Sequence, residues 1–257
     1  MHSDVLEQLV DLSARLGDPA RDLVILAEGN TSARADDGTF WVKASGAELR
    51  SAGPGSFVRV STARVLEMLD AELTDDEVVD ALIGAKIDRL PEPRPSVETL
   101  MHAVCLSLDG VNFVGHTHPV HVNCLACSAQ FEQAFRGRVF PDEIVVCGPA
   151  TVLVPYVDPG LPLAREIKRR VEAYVAERGR SPKVIVMRNH GLVALGGSPR
   201  EVENITAMAV KAAQIRIGSM SAGGPRLLSD EDVRRIDSRS DEHYRQRVLE
   251  GQQARFE

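Results

Sequence analysis

Apolar residues recur with a helical period in several stretches of the chain. Residues 4–16 place apolar side chains three or four positions apart, which predicts an amphipathic helix with one buried face. The stretches 97–108, 163–178 and 202–217 predict further helices.

Shorter apolar runs, bounded by turn-forming residues, predict extended segments between these helices. The predicted strands are LVILA (23–27), TSARA (31–35), FWVK (40–43), VNFVGHTH (111–118), EIVVCG (143–148), VLVPY (152–156), KVIVMRN (183–189) and LVALG (192–196). Because strands and helices alternate without internal repeats, the pattern predicts one α/β domain.

Capping residues mark several helix starts. Ser61 precedes an apolar-periodic segment, and Thr74 with Glu77 has the spacing of a capping box. Two helices are therefore predicted before LPEPRP (90–95) interrupts the pattern. The stretch SPRE (198–201) has the same capping spacing, with a proline in the first helical turn.

Length and charge narrow the functional classes. A chain of 257 residues, 44% of them hydrophobic, can bury a full core and suits one large domain. Its net charge is −7, and its charged residues are scattered along the sequence. This pattern argues against a broad nucleic-acid or anionic-membrane surface. Residues 1–18 mix acidic and apolar side chains, so they predict neither a secretory signal nor a membrane span. We therefore expect a soluble, cytoplasmic protein.

The domain is expected to occupy residues 1–220, and residues 221–257 are expected to form a linker and a charged helical tail on the surface or on a neighbouring subunit.

Four cysteines are too few for a disulfide framework, so reduced thiols are expected. Cys124 and Cys127 form a C-x-x-C without a second pair. Core packing on a helix is favoured over a redox or metal role for them.

Three histidines lie within six positions of VGHTHPVHVN (114–123). Alternate residues of a strand share a face, so His116 and His118 should project together roughly 6.6 Å apart. His121 follows Pro119, where a helix is expected to start, and should lie off that face. Ordinary hydrogen-bonded histidines remain the alternative interpretation.

A third histidine and a carboxylate could complete a site. A catalytic zinc takes three protein ligands and keeps one position open, and His190 follows an apolar strand and precedes Gly191, which permits a tight turn. Ser96 can cap the helix over 97–108, which would place Glu98 two residues into that helix. The alternative for Glu98 is an ordinary favourable interaction with the helix dipole.

Five motifs in this order, EGNTSAR, FWVKASGAEL, RPSVETLMHA, GHTHPVHVNCL and RNHGLVALG, resemble the class II aldolase/adducin family of zinc-dependent sugar-phosphate aldolases and epimerases. The closest likeness is to the aldolase domain of bifunctional rhamnulose-1-phosphate aldolase/dehydrogenases. The resemblance covers residues 25–215. It implies a three-layer α/β/α domain around a central, predominantly antiparallel sheet, assembled as a homotetramer with active sites near subunit interfaces.

The resemblance also assigns roles. His116, His118 and His190 match the family's ligands for one Zn²⁺ per chain, and Glu98 matches its acid/base carboxylate. These residues imply an aldolase that cleaves a ketose phosphate to dihydroxyacetone phosphate and a small aldehyde through a metal-stabilised enediolate. Burial should raise the pKa of Glu98 for that role.

A phosphate site is implied by turns and a helix start rather than by net positive charge. The residues that match it are Gly29, Asn30, Ser45, Gly46 and Ser96. Each could instead belong to a routine turn or cap. Lys43 could add a charge to this pocket or simply lie on a hairpin.

The chain departs from the family pattern at two points. Val97 stands where fuculose-phosphate aldolases have a second serine, and SAQFEQAFRGRVF (128–140) lacks their tyrosine that protonates the leaving aldehyde. Tyr156 and Tyr244 match no motif. The alternatives are therefore a same-family epimerase, dehydratase or sugar-acid-phosphate decarboxylase, or a non-catalytic adducin-like module. Retention of the three histidines and Glu98 argues against the last, and the sugar itself stays unspecified.

Overall fold

A seven-stranded sheet forms the centre of the protein in a computed structural model that describes residues 2–35, 37–88, 90, 92–239 and 241. The strands are β1 (Asn30–Arg34), β2 (Thr39–Lys43), β3 (Phe57–Ser61), β4 (Phe113–Thr117), β5 (Val152–Val154), β6 (Val184–Met187) and β7 (Gly191–Gly196). Their spatial order is β3-β2-β1-β4-β7-β6-β5. Neighbours pair antiparallel except β5 and β6, which are parallel. The predominantly antiparallel sheet is therefore confirmed.

Helices cover both faces of the sheet. They are α1 (His2–Leu16), α2 (Thr62–Glu67), α3 (Asp75–Gly84), α4 (Thr99–Leu106), α5 (Val120–Ala126), α6 (Phe131–Phe135), α7 (Pro141–Cys147), α8 (Leu161–Arg178), α9 (Pro199–Ser219) and α10 (Asp230–Asp237). One buried apolar cluster joins the sheet to α2, α3, α4 and α8. A second cluster joins the opposite face to α1, α5, α6, α7 and α9. Two cores separated by one sheet confirm the predicted three-layer α/β/α architecture.

Local capping chemistry explains where several helices begin. The Ser61 hydroxyl accepts a backbone hydrogen bond at the start of α2, and Thr74 and Glu77 form the predicted reciprocal capping box of α3. At α9 the Ser198 hydroxyl accepts from the backbone N–H of Glu201 at 3.2 Å. The Glu201 carboxylate instead accepts from the backbone N–H of Gly197 at 2.8 Å. The start of α9 is as predicted, but only half of its capping box forms.

The predicted strand over residues 23–27 is wrong, because this segment forms a loop. Both edges of β1 are already paired, one with β2 and the other with β4, so no free edge is left beside it. Leu23 is buried, and its carbonyl accepts from the backbone N–H of His118 at 2.8 Å. Leu26 has a positive φ of 52° and is 79% exposed. The apolar run therefore leads the chain to the end of β4 instead of adding a strand.

The predicted strand over residues 143–148 is also wrong, because it lies in helix α7. Pro141 occupies the first turn of α7, and Gly148, with φ of 76°, follows the last residue. Glu143 is buried and pairs with Arg138 and Arg216. These partners lie outside the apolar run, so its pattern alone could not distinguish a short helix from a strand.

The interpretation of Cys124 and Cys127 as core residues is wrong. Both are exposed thiols, whereas α5 buries Val122, Leu125 and Ala126. Cys124 lies in α5, as expected of a helical stretch, and Cys127 is the first residue after that helix.

The first part of the predicted tail contacts the rest of the chain. The backbone N–H of Leu228 donates to the Arg138 carbonyl at 2.8 Å, and Arg180 pairs with Asp237 of α10 at 2.5 Å. Residues 242–257 lie outside the described residues, and the division at residue 220 stays a prediction. Among the described helices, none is both long and apolar enough to span a membrane.

Candidate metal centre

Two neighbouring strands bring three histidines together. His116 lies on β4 opposite Val193 of β7, His118 follows the end of β4, and His190 precedes β7. Because β4 and β7 are antiparallel, the end of one lies beside the start of the other. The three ring centroids are 4.7, 5.0 and 5.3 Å apart. The predicted pairing of His116 with His118, and their meeting with His190, are therefore seen in the structure.

The imidazole nitrogens converge in a way that suits a metal ion. One ligand atom from each histidine lies within 4.8 Å of the others. The Nδ1–H of His116 donates to the Leu192 carbonyl at 3.0 Å, which leaves Nε2 unprotonated and directed toward Nε2 of His118, 3.0 Å away. Glu28 lies 3.6 Å from Nδ1 of His118, on the far side of that ring. Such backing partners orient metal-binding imidazoles.

Burial keeps two of these imidazoles neutral. It lowers the pKa of His116 to about 3 and also lowers the pKa of His118. A neutral imidazole has the lone pair that a metal requires. Together with His190, these imidazoles give the three-histidine ligand set of a divalent metal that keeps a coordination position open.

Gly191 lets the two loops approach closely. A Cβ at this position would lie 2.6 Å from Cδ2 of His118 and 2.7 Å from the Thr117 carbonyl oxygen. The positive φ of the turn belongs to Asn189, at 55°. Gly191 is therefore required by space beside the histidines, whereas its backbone conformation is not the reason.

Glu98 lies at the centre of this arrangement. Its Oε1 is 3.1 Å from Nε2 of His190 and 3.6 Å from Nε2 of His116. It occupies the residue before α4, so its predicted position two residues inside the helix is wrong. Its backbone N–H donates to the Ser96 hydroxyl at 3.1 Å, and this turn delays the helix start.

The pKa of Glu98 does not follow the expected rise. Burial raises it, but the hydrogen bonds from His190 and Asn30, together with the adjacent His116 ring, outweigh burial and hold the pKa of Glu98 well below its usual value. The carboxylate is therefore ionised at neutral pH and acts as a hydrogen-bond acceptor only.

Three polar residues behind Glu98 complete the site. The Asn30 amide nitrogen donates to Oε2 of Glu98 at 2.5 Å, and the Asn30 oxygen contacts Nε2 of His102. The other ring nitrogen of His102 lies 2.6 Å from the Ser32 hydroxyl. Sequence reasoning gave no role to His102 or Ser32. A signal was present, because His102 interrupts the otherwise apolar run over residues 100–106, four positions after Glu98.

Three distant segments meet beside the histidines and include the expected phosphate residues. The buried Lys43 ammonium donates to the carbonyls of Ala27, at 3.4 Å, and Ala47. The backbone N–H of Ser45 donates to the Arg94 carbonyl at 2.9 Å, close to Ser96. Burial lowers the pKa of Lys43, and the nearby Glu98 charge opposes that shift. The segments 27–30, 43–47 and 94–98 thus form one surface next to the metal candidate.

Two glycines shape that surface. Gly29 has a φ of 67°, and a Cβ there would lie 2.6 Å from the carbonyl oxygen of His116. Gly46 has a φ of 77°, with open space where a Cβ would stand. Gly29 therefore ties the first segment to β4, whereas Gly46 leaves its surroundings accessible.

Comparison with protein families gives a match over most of the chain. The family model described as Class II Aldolase and Adducin N-terminal domain matches residues 7–217. The region includes the three histidines, Glu98 and the three polar segments.

Individual proteins support the same relationship. An uncharacterized oxidoreductase, YuxG, of Bacillus subtilis is 31% identical over 201 residues, which cover 74% of this chain but 26% of that protein. Rhamnulose-1-phosphate aldolase of Listeria monocytogenes is 25% identical over 206 residues, covering 78% of this chain and 70% of that protein. The structure of an N-terminal class II aldolase domain from Thermoplasma acidophilum is 26% identical, has a TM-score of 0.65, and covers 82% of this chain and 93% of its own.

Proposed function

Since the chain belongs to the class II aldolase and adducin N-terminal domain family, we propose that it is a metal-dependent lyase that cleaves a ketose phosphate to dihydroxyacetone phosphate and a small aldehyde. The observation that carries this proposal is the approach of Glu98 to within 3.1 Å of His190 inside a cluster of three histidines. Proton transfer at a carbon next to a ketone requires a proton acceptor and a nearby positive charge. A carboxylate beside a metal site provides both.

We propose that His116, His118 and His190 hold one Zn²⁺ per chain. Neutral imidazoles would leave the ion's charge uncompensated, so zinc would supply positive charge to offset the negative charge of an enediolate. The backing contacts of His116 and His118 support this role because they fix which nitrogen faces the centre.

Glu98 is proposed to carry the proton. Its Oε2 accepts from Asn30, so Oε1 is the oxygen that faces the histidines. In its ionised form the carboxylate can accept a proton from the substrate carbon and return it in the reverse direction. Its position at the start of α4 holds it on a rigid element beside the sheet.

The phosphate is proposed to lie against the Gly29–Asn30 turn, Ser45, Gly46 and Ser96. Backbone N–H groups at turns and small hydroxyls can hold an anion without an excess of basic residues. Lys43 adds positive charge beneath the same surface. Val97 removes one hydroxyl from this set, which should weaken phosphate binding by about 1–3 kcal/mol without abolishing it.

The positions of the tyrosines, which could protonate a leaving aldehyde, favour a second candidate function for the same site. Tyr156 is 58% exposed, and its hydroxyl donates to Asp158 at 2.9 Å. Tyr174 lies in the core, and Tyr244 is outside the described residues. No described tyrosine therefore bonds to the histidine cluster, which favours an epimerase, dehydratase or sugar-acid-phosphate decarboxylase as the alternative. The histidine cluster argues against a non-catalytic adducin-like module.

Homotetrameric assembly, a cytoplasmic location and a role in carbohydrate metabolism belong to the same proposal. Exposed apolar side chains flank the candidate site, with Ile25 and Leu26 in the loop before Gly29 and Val120 at the start of α5. Apolar groups of this kind often mark surfaces that other chains cover. Light scattering on the purified protein would measure the mass of the assembly directly.

Proton exchange tests the proposed reaction without knowledge of the aldehyde. Zinc-loaded protein should exchange the C3 proton of dihydroxyacetone phosphate with solvent deuterium, as followed by proton NMR. The exchange should stop after chelation. If metal-loaded protein shows no exchange but turns over a sugar-acid phosphate, the decarboxylase alternative replaces the aldolase.

A further inference from the structure

A line of four polar side chains runs from the interior to the candidate site. It starts at Ser32 on β1, passes through His102 on α4 and Asn30 on β1, and ends at Glu98. Ser32 and His102 are fully buried, and Asn30 is 4% exposed. Asn30 and Ser32 lie two positions apart on one strand, so both point to the face that α4 covers.

The direction of these hydrogen bonds follows from the orientation of the Asn30 amide. Its nitrogen donates to Oε2 of Glu98 at 2.5 Å, and its oxygen faces Nε2 of His102. The Nε2 atom of His102 must then carry a proton, because it faces an oxygen. In a neutral imidazole the opposite nitrogen, Nδ1, is an acceptor, and it takes the hydroxyl proton of Ser32. Each donor in the line therefore points toward Glu98.

Because these side chains are buried, each polar group among them needs a hydrogen-bond partner. A buried amide or imidazole without partners is strongly destabilising, so each member depends on the next. Burial also lowers the pKa of His102 to about 4 and keeps the ring neutral. A reversed Asn30 would place its amide nitrogen against Nε2 of His102 and would therefore require the opposite tautomer of that ring.

We propose that His102 is a positioning residue that locks the Asn30 amide, so that Asn30 holds Oε2 of Glu98 and leaves Oε1 directed at the histidine cluster. The catalytic consequence rests on the proposed function, whereas the direction of the hydrogen bonds does not. Both ends of the Asn30 side chain are committed to this line, so Asn30 can contribute to phosphate binding through its backbone.

The direction can be measured in the wild-type protein without turnover. Two-bond proton–nitrogen correlation spectra of zinc-loaded protein with ¹⁵N-labelled histidine distinguish the two neutral tautomers. The His102 ring, identified by its loss in His102→Gln, should be protonated at Nε2 and not at Nδ1. Protonation at Nδ1 would overturn the inference, because Asn30 would then be reversed.

Variants test the positioning role. His102→Leu should lower the exchange rate at saturating dihydroxyacetone phosphate about 10–100-fold, the range typical of partners behind metal-site groups. Zinc content and the half-saturating concentration should stay near wild type, because neither the ligands nor the phosphate surface changes. His102→Gln should recover most of the rate, since its amide nitrogen can donate toward Asn30. His121→Leu, which removes a histidine from α5, is the control and should exchange normally.

Equal losses in His102→Leu and His102→Gln would contradict the positioning role, as would a loss that matches a loss of zinc. If wild-type protein shows no exchange, the proposed reaction fails, and the tautomer of His102 still decides the direction of the line. The two failures are therefore distinguishable.

Discussion

Substitution of Gly191 by alanine should disturb the candidate metal centre by steric overlap alone. The new Cβ would lie 2.6 Å from Cδ2 of His118, 2.7 Å from the Thr117 carbonyl oxygen and 3.1 Å from Cε1 of His116. Ordinary contact begins at 3.4 Å, so the His118 ring would have to move by about 0.8 Å, the difference between 3.4 and 2.6 Å. Two proposed ligands are thus displaced without any change in their chemistry.

Both stability and zinc affinity should respond. Overpacking of this kind costs about 1–3 kcal/mol of unfolding free energy. Misplacement of ligands by a fraction of an ångström should weaken zinc binding about 10–100-fold, as loss of an orienting partner does. Urea denaturation of metal-free protein measures the first effect, and competition with a chromophoric chelator measures the second.

A matched glycine provides the control. A Cβ at Gly218, inside α9, would meet nothing within 4 Å, so Gly218→Ala should keep its zinc affinity and gain up to about 1 kcal/mol from helix propensity. Wild-type zinc affinity together with an unchanged urea midpoint in Gly191→Ala would refute the close approach on which the geometry of the centre depends.

Two further predictions follow from the buried polar groups. Glu98→Gln should keep the fold and most of the zinc but lower turnover by about two to four powers of ten, as loss of a general acid/base does; near-normal exchange in this variant would reduce Glu98 to a structural role. Metal-free protein should lose stability as the pH falls from about 6.5 toward 4, because burial lowers the pKa of His102 from 6.5 to about 4 and the unfolded chain then binds a proton that the folded chain does not. Urea midpoints measured across this range should fall less steeply in His102→Gln, and identical slopes would contradict the assignment.

The periodicity of apolar residues was sufficient to predict an element where the residues of that element alone determine its structure. The long helices and most strands were predicted because their apolar patterns extend over enough residues to separate the two periods. Residues 143–148 were not, since Glu143 is held in α7 by Arg138 and Arg216, and Arg216 lies far along the chain. Residues 23–27 were not, since pairing depends on which strand edges are free.

The candidate site was also predictable only in part, because its residues could be selected from the sequence but their hydrogen bonds could not. His116, His118, His190 and Glu98 were selected from residue chemistry and from the family resemblance, and the structure brings them together. The role of His102 could not be predicted, because it requires knowing that α4 packs across β1 and which way the Asn30 amide points. Hydrogen-bond direction is a property of the assembled network, so the position of His102 in an apolar run could mark the residue but not its role.

The metal content of purified protein tests the central claim most directly. Elemental analysis after gel filtration should find about one zinc or similar divalent ion per chain, and His190→Ala should lose it while remaining folded. Protein that carries no stoichiometric metal, and that cannot be reloaded with zinc, would contradict the account.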